Sequence, residues 1–169
     1  MTERKLFFAL WLSDRQRELM RDTLRPVLTS VEGAVVDRRN WHITLVFIGN
    51  FPEKQIPFLL AAAGEIEPEP FRLRFDRLEY WQRNKVAALM ARAVPPALES
   101  LVRALETKLE AFDVESEKRL FRPHITVARR ARVFETVQLT RPVDLELHHF
   151  ELMESLPGPS GVSYRPLKQ

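Results

Sequence analysis

The chain has 169 residues, of which 45% are hydrophobic and 29% charged, so it is long enough and apolar enough to bury the core of one globular domain. It contains no cysteine, which excludes disulfide bonds, thiolate metal sites and a cysteine nucleophile. The net charge is +3, carried by arginine more than by lysine; arginine suits phosphate recognition, but this charge does not by itself identify a partner.

The first half of the chain predicts a strand followed by a helix, twice. Residues 6–12 are a short apolar run typical of a central strand buried on both faces. Ser13 and Gln16 form a capping-box pattern that starts a helix, and apolar residues at helical spacing continue until Pro26 and Ser30 end it. A strand at 41–48 and a helix at 56–64 then repeat the order.

The second half predicts more strands than helices. Its elements are strands at 71–76, 86–90, 121–129 and 143–153, a helix from Pro95-Pro96 to Phe112, and a last edge segment at 164–167. The strand at 86–90 is expected to pair with 71–76. Because several strands are amphipathic and edged by proline, antiparallel or mixed sheets are favoured over a buried parallel sheet, and we predict an α+β fold.

One short motif occurs twice. His42-Ile43-Thr44-Leu45-Val46 recurs as His124-Ile125-Thr126-Val127-Ala128, 82 residues later and close to half the chain length away. Residues i and i+2 of a strand share a face, so each motif presents one imidazole and one hydroxyl to a common surface and turns its apolar residues toward a core. The duplication predicts two related halves whose motif strands lie side by side across a pseudo-two-fold cleft.

Two facing imidazoles suit in-line displacement at phosphorus, because the nucleophile and the leaving oxygen lie on opposite sides and each needs a proton transfer. Histidine, with an ordinary pKa of about 6.5, holds either protonation state near neutral pH. We therefore predict His42 and His124 as catalytic residues. Thr44 and Thr126 can donate hydrogen bonds to the non-bridging phosphate oxygens. This chemistry requires no metal, and we expect no cofactor.

The paired motifs resemble the HxTx signatures of the two-histidine phosphoesterases, and specifically those of the RNA 2′,3′-cyclic phosphodiesterases, also called 2′-5′ RNA ligase-like proteins. The resemblance extends to the flanking residues, namely Arg4 with Phe7-Phe8-Ala9-Leu10, Trp41, residues 45–49, Arg122-Pro123 and Ala128-Arg129. It implies a single bilobal domain over residues 1–169, in which two related lobes, each a mainly antiparallel sheet flanked by helices, form a central cleft that carries both motifs.

The resemblance also implies an activity. An RNA terminal 2′,3′-cyclic phosphate would be hydrolysed to a 2′-phosphomonoester, and a 5′-hydroxyl in place of water would give 2′-5′ RNA ligation. By position, His42 is implied as the general acid that protonates the departing 3′ oxygen, and His124 as the base that activates water. Arg129 is implied as a phosphate ligand, which joins Thr44 and Thr126 in the expected substrate-binding set.

The placement of Arg129 is not simple. It follows His124 by five residues, so strict alternation turns its side chain away from the cleft, and a bulge or the strand end must re-aim it. Phe47 occupies the matching place after the first motif. Phe7 and Phe8 are expected in the core, with stacking of Phe8 on a base as the alternative. Six arginines bracket the motifs and are expected to divide between RNA contacts and ordinary surface: Arg38, Arg39, Arg119, Arg122, Arg130 and Arg132.

Three functional hypotheses stay open at this point. They are the cyclic phosphodiesterase, a non-catalytic RNA-binding module whose histidines only pack, and the same chemistry on a small cyclic nucleotide or a 2′-5′ oligonucleotide. The expected partner is RNA with a 2′,3′-cyclic phosphate end, tRNA fragments included, and the polar faces favour a monomer. The run at 6–12 is too short to cross a bilayer and no small-residue cleavage site follows it, so we expect a cytoplasmic protein without a membrane partner.

Overall fold

The computed structural model describes residues 2–159 and 161–168. The strands are β1 (Glu3–Trp11), β2 (Ala34–Val35), β3 (His42–Pro52), β4 (Phe71–Trp81), β5 (Val86–Ala91), β6 (His124–Arg129), β7 (Val137–Leu147), β8 (Phe150–Gly158) and β9 (Gly161–Leu167). The helices are α1 (Asp14–Leu28), α2 (Ile56–Ala63) and α3 (Pro96–Glu110), and short 3-10 turns cover Arg38–Asn40 and Glu53–Gln55.

The described strands form two antiparallel sheets. The first has the order β3-β1-β8-β9 and the second the order β2-β6-β5-β4-β7. The first motif begins β3, at the edge of the first sheet, and the second motif begins β6, between β2 and β5 of the second sheet. The predicted α+β class with mainly antiparallel sheets is confirmed, and each sheet carries one motif.

Strand β1 is buried on both faces, as its apolar run predicts. Phe8 points into a large apolar core to which both sheets and the helices α1, α2 and α3 contribute. Phe7 points the other way and forms a smaller apolar cluster with Met153 of β8. The Phe7 ring lies 5.2 Å from the imidazole of His42, centre to centre, so this smaller cluster supports the face that carries the first motif.

The start of α1 follows the predicted capping box. The backbone N–H of Gln16 donates to Ser13 Oγ at 3.1 Å, and the backbone N–H of Ser13 donates to Gln16 Oε1 at 2.9 Å. The helix ends at Leu28, within the predicted limits, and Pro26 lies in its final turn. A proline there removes one backbone hydrogen bond without preventing the last residues from staying helical.

The predicted single strand at 143–153 is wrong. The chain leaves the second sheet after Leu147 and enters the first sheet at Phe150, with the exposed His148 and His149 between the two strands. The alternation of buried residues shifts by one position across this break, since Leu147 is buried in β7 and Leu152 in β8. One continuous strand cannot keep both on its core face, so the segment divides between the sheets.

Other boundaries differ by a few residues. β3 runs past its predicted end to Pro52, because Gly49 adopts a left-handed φ of +86° that keeps the chain paired through an irregularity. The strand predicted from residue 121 begins at His124, directly after Pro123. The two-residue strand β2 has no sequence signal, whereas the predicted edge segment is confirmed within β9.

In the described part of the chain, no helix has the length and apolar character to cross a membrane.

Candidate active site

The two motifs show the alternation that the sequence predicts. Ile43 and Leu45 in β3 are buried in the core, at 0% and 4% exposure, and Ile125 and Val127 in β6 are both at 0%. The histidine and threonine of each motif are half-buried on the opposite face of the sheet. Each sheet therefore turns one imidazole and one hydroxyl away from the core.

Both imidazoles are held in the same way by a backbone carbonyl two residues earlier. His42 Nδ1 lies 2.7 Å from the carbonyl oxygen of Asn40, and His124 Nδ1 lies 2.8 Å from that of Arg122. A carbonyl oxygen only accepts, so the Nδ1 atom of each ring carries a proton and the Nε2 atom has the free lone pair when the ring is neutral. His42 Nε2 lies 3.1 Å from Thr44 Oγ1, so the threonine hydroxyl donates to this nitrogen.

Aromatic side chains surround the first histidine. The Trp11 ring stacks on the His42 ring with centres 5.3 Å apart and planes inclined by 15°, and Tyr164 contacts it edge-on at 5.0 Å. The second histidine has one aromatic neighbour of the same type, because the Trp81 ring lies 4.2 Å from that of His124. A tryptophan thus packs on the imidazole in each sheet, which fixes the ring and excludes water from one side.

The electrostatic environment favours the neutral form of both histidines. Burial lowers the pKa of His42 from 6.5 to about 4; the Asn40 carbonyl opposes this shift, and the positive charges of Arg129, His124 and Arg17 add to it. Burial also lowers the pKa of His124, again against a carbonyl contact. Near pH 7 both rings therefore favour the neutral form, in which Nε2 carries a lone pair; on His42 this lone pair accepts from Thr44.

A bulge follows the His-x-Thr segment in both strands. In β6, Thr126 pairs with Ala88 and Ala128 with Ala87, so Val127 is an extra residue opposite β5. In β3 the extra residue opposite β1 is Leu45, which holds the matching position of the motif. A bulge places two consecutive side chains on one face and reverses the alternation that follows.

The bulge re-aims Arg129. Ala128 is buried in the core, and Arg129 consequently points to the same side as His124. Its Nη2 donates to the Tyr164 hydroxyl at 3.2 Å, a bond that joins β6 of the second sheet to β9 of the first. Since Tyr164 also contacts His42, this bond brings the arginine within reach of the first motif.

The two motif strands are neighbours in space. β3 and β6 are in contact, and the charge of His124 is close enough to act on the pKa of His42. Asn40 Nδ2, just before the first motif, donates to the Val162 carbonyl oxygen of β9 at 3.4 Å. The structure thus brings His42, His124 and Arg129 to one region between the sheets, although it assigns no chemical role to any of them.

Comparison with known proteins shows which family the chain resembles. The family model described as LigT like Phosphoesterase matches residues 13–88. A curated relative from Escherichia coli, named RNA 2′,3′-cyclic phosphodiesterase, is 29% identical over 168 residues, covering 98% of this chain and 94% of the relative. A relative of the same name from Archaeoglobus fulgidus is 26% identical over 174 residues, covering 97% of this chain and 98% of the relative.

The solved structures agree with these relatives. Escherichia coli LigT complexed with 3′-AMP superposes with a TM-score of 0.87 at 27% sequence identity, covering 99% of this chain and 97% of that one. The chain is therefore similar over nearly its whole length to phosphoesterases of the LigT-like family. The relatives identify it as an enzyme of phosphoester chemistry, and the predicted resemblance to that family is confirmed.

The arginines that bracket the motifs differ in their ion pairs. Arg39 pairs with Asp37, Arg122 with Glu79 and Arg132 with Glu32 at 2.9, 3.1 and 3.3 Å. Arg122 also packs over the Trp81 ring, with its guanidinium carbon 5.5 Å from the ring centre. Arg38, Arg119 and Arg130 make no ion pair with any residue between 2 and 159 or 161 and 168.

The sequence did not predict the aromatic residues of the site. Phe8 lies in the core as expected, facing away from the histidines, while Phe7 supports His42 from below. Phe47 lies opposite Phe7 in the register and is 49% exposed, so it extends the site face as an accessible aromatic surface. The period-two spacing of Phe7 and Trp11 on β1 is the one sequence signal that could have placed Trp11 on this face.

Proposed function

We propose that this LigT-like phosphoesterase hydrolyses the 2′,3′-cyclic phosphate at an RNA end to a 2′-phosphomonoester, with His42 and His124 as the proton-transfer pair. The observation that carries the proposal is that the two imidazoles make equivalent contacts. Both Nδ1 atoms donate to a backbone carbonyl, and both rings pack on a tryptophan. The names of the full-length relatives, RNA 2′,3′-cyclic phosphodiesterase, supply the substrate.

The reaction needs two proton transfers at one phosphorus atom. Nε2 of His124 accepts a proton from water as the water oxygen forms a bond to phosphorus. The bond between phosphorus and the 3′ oxygen breaks, and Nε2 of His42 donates a proton to that oxygen. The product carries a 2′-phosphate and a 3′-hydroxyl, and each positioned histidine accounts for about 10²–10⁴-fold of the rate.

His42 must acquire the proton that it donates. With a pKa of about 4, this ring is neutral at pH 7 in the protein alone. The negative charge of a bound cyclic phosphate raises the pKa of a neighbouring histidine, so substrate binding favours the protonated form of His42. Once His42 is protonated, Thr44 no longer donates to it, so Thr44 and Thr126 both donate to the non-bridging oxygens, and Arg129 adds a positive charge that stabilises the transition state.

A change of leaving atom tests the two roles. In a cyclic phosphate whose 3′ bridging oxygen is replaced by sulfur, the departing thiolate needs no general acid. His42→Ala should lose activity on the oxygen substrate and recover most of it on the sulfur substrate, whereas His124→Ala should be inactive on both. Recovery by His124→Ala instead would exchange the roles, and full activity of either variant on the oxygen substrate would refute the two-histidine mechanism.

A smaller substrate is the second candidate. Escherichia coli LigT has been solved in complex with 3′-AMP, with NADP+ and with ATP, so small nucleotides bind to that protein. We infer that a 2′,3′-cyclic mononucleotide also fits this chain. Competition between a cyclic mononucleotide and an RNA end at equal concentration distinguishes the two substrates by their ratio of kcat/KM.

Several expectations stay predictions. They are 2′-5′ ligation by a 5′-hydroxyl, tRNA fragments as physiological substrates, a monomeric state and a cytoplasmic location. We also propose that residues 1–169 form one two-lobed domain with an internal pseudo-two-fold duplication. The matching bulges and the matching carbonyl contacts of the two motifs support this proposal.

A further inference from the structure

A cavity of about 910 Å³ lies between α1 and the segment that connects β2 to β3. Arginines at every fourth position along one face of α1 line it, joined by two from the 3-10 turn before β3: Arg17, Arg21, Arg25, Arg38 and Arg39. Five arginines against three acidic residues give the wall a net formal charge of +2. The wall therefore favours an anionic occupant.

Two buried groups in this wall have hydrogen atoms without an acceptor. Trp41 is 2% exposed, and its Nε1 makes no hydrogen bond within the described residues. Arg17 is 7% exposed, and its Nε and Nη2 atoms also make no hydrogen bond within the described residues. Buried donors in native proteins nearly always have partners; these N–H groups are closed to solvent, so they add unneutralised positive potential to the wall behind the cavity.

The cavity adjoins the proposed active site. Trp11 stacks on His42 with centres 5.3 Å apart, and the guanidinium carbon of Arg17 lies 5.2 Å from the centre of the same Trp11 ring. Trp41 directly precedes His42 in the chain. A single side chain, Trp11, therefore separates Arg17 from the histidine proposed to act on the terminal phosphate.

The cavity is also partly apolar. Leu28, Val35 and Val36 line it together with the arginines, and Val35 is 58% exposed. An apolar surface beside guanidinium groups suits a nucleotide, because its base packs on the apolar surface and its phosphate binds the guanidinium groups.

We propose that this cavity binds the nucleotide that precedes the terminal cyclic phosphate, so that the preferred substrate is an RNA strand and not a mononucleotide. The inference rests on the proposed function. Arg25 and Arg38, which are exposed and make no ion pair with any described residue, bind the connecting phosphodiester. Arg17 and Trp41 add positive potential from behind the wall.

The test compares two substrates that share one reacting end: a 2′,3′-cyclic mononucleotide and a trinucleotide with the same cyclic terminus. In the double variant Arg25→Ala/Arg38→Ala, kcat/KM for the trinucleotide should fall about tenfold, as expected for the loss of hydrogen bonds between charged groups, and that for the mononucleotide should stay unchanged. The slope of log kcat/KM against log salt for the trinucleotide should become shallower by about 0.7 for each phosphate that the variant no longer neutralises.

The matched control is Arg72→Ala/Arg103→Ala. It removes the same charge from two exposed arginines on β4 and α3, outside the cavity, and should leave both substrates unaffected. The inference is overturned if the two double variants lose activity equally, or if kcat/KM for the trinucleotide is unchanged in Arg25→Ala/Arg38→Ala. In either case, turnover of the mononucleotide still upholds the proposed function. Failure of the unmodified protein to hydrolyse either substrate overturns both.

Discussion

The neutral state of His42 should make the folded protein lose stability in mild acid. The unfolded chain binds a proton at this residue below its ordinary pKa of 6.5, whereas the folded chain does so only below about 4. Between these values the unfolded state holds more protons, so the free energy of unfolding falls as the pH falls. The full difference is at most about 3 kcal/mol, and about 2 kcal/mol of it is lost between pH 8 and pH 5.

Urea unfolding followed by far-ultraviolet circular dichroism measures this loss at pH 8, 6 and 5. Other groups titrate over the same range, so the quantity to compare is the pH dependence of the unmodified protein minus that of His42→Asn. We expect the variant to lose about 2 kcal/mol less between pH 8 and pH 5. His148→Asn removes an exposed imidazole outside the site and should follow the unmodified protein. Parallel curves for the unmodified protein and His42→Asn would refute a buried neutral His42.

Three further predictions concern the surroundings of the histidines. Trp11→Ala opens the stacked face of His42 to water and should raise the pKa of this histidine toward 6.5, which an NMR titration of the ring protons would show; an unchanged pKa would mean that Trp11 does not desolvate the ring. Tyr164→Phe removes the acceptor for Arg129 and should raise KM about fivefold with little change in kcat, so an effect confined to kcat would contradict the placement of Arg129 beside the bound phosphate. Excess EDTA should leave kcat/KM unchanged, and inactivation that Zn²⁺ or Mg²⁺ reverses would show that the reaction requires a metal.

The faces of the two motifs could be predicted from the sequence because they depend on local alternation alone. His42 and Thr44 share a face through the period of two residues in a strand, and the buried Ile43 between them confirms it. The capping box at Ser13 is local in the same sense. Such features need no knowledge of which strands pair.

The features that the sequence did not predict depend on contacts between distant residues. Trp81 precedes His124 by more than forty positions and reaches it because β4, β5 and β6 are adjacent in the second sheet. β9 and β3 are opposite edges of the first sheet, and Tyr164 reaches His42 across β1, where its ring also packs on Phe7 and Trp11. The break at His148 and His149 is likewise decided by the sheet that each half of the segment joins.

Arg129 lies between these two cases. Alternation along the strand shows that its side chain needs a bulge to reach the site, but the position of the bulge follows from the pairing of β6 with β5. The matching bulge at Leu45 turns Phe47 toward the same side in the first sheet. β6 thus directs the cation Arg129, and β3 the aromatic ring of Phe47, to equivalent places, so the two halves of the site differ.

The proposed mechanism requires His42 and His124 to act on one phosphorus atom. A crystal structure with a bound 2′-phosphorylated nucleotide, the proposed product, is the decisive test of this requirement. We expect Nε2 of each histidine to lie within hydrogen-bond distance, about 3 Å, of an oxygen atom attached to the same phosphorus or to the 3′ carbon. A phosphate bound by only one of the two rings, with the other ring turned away from it, would contradict the mechanism.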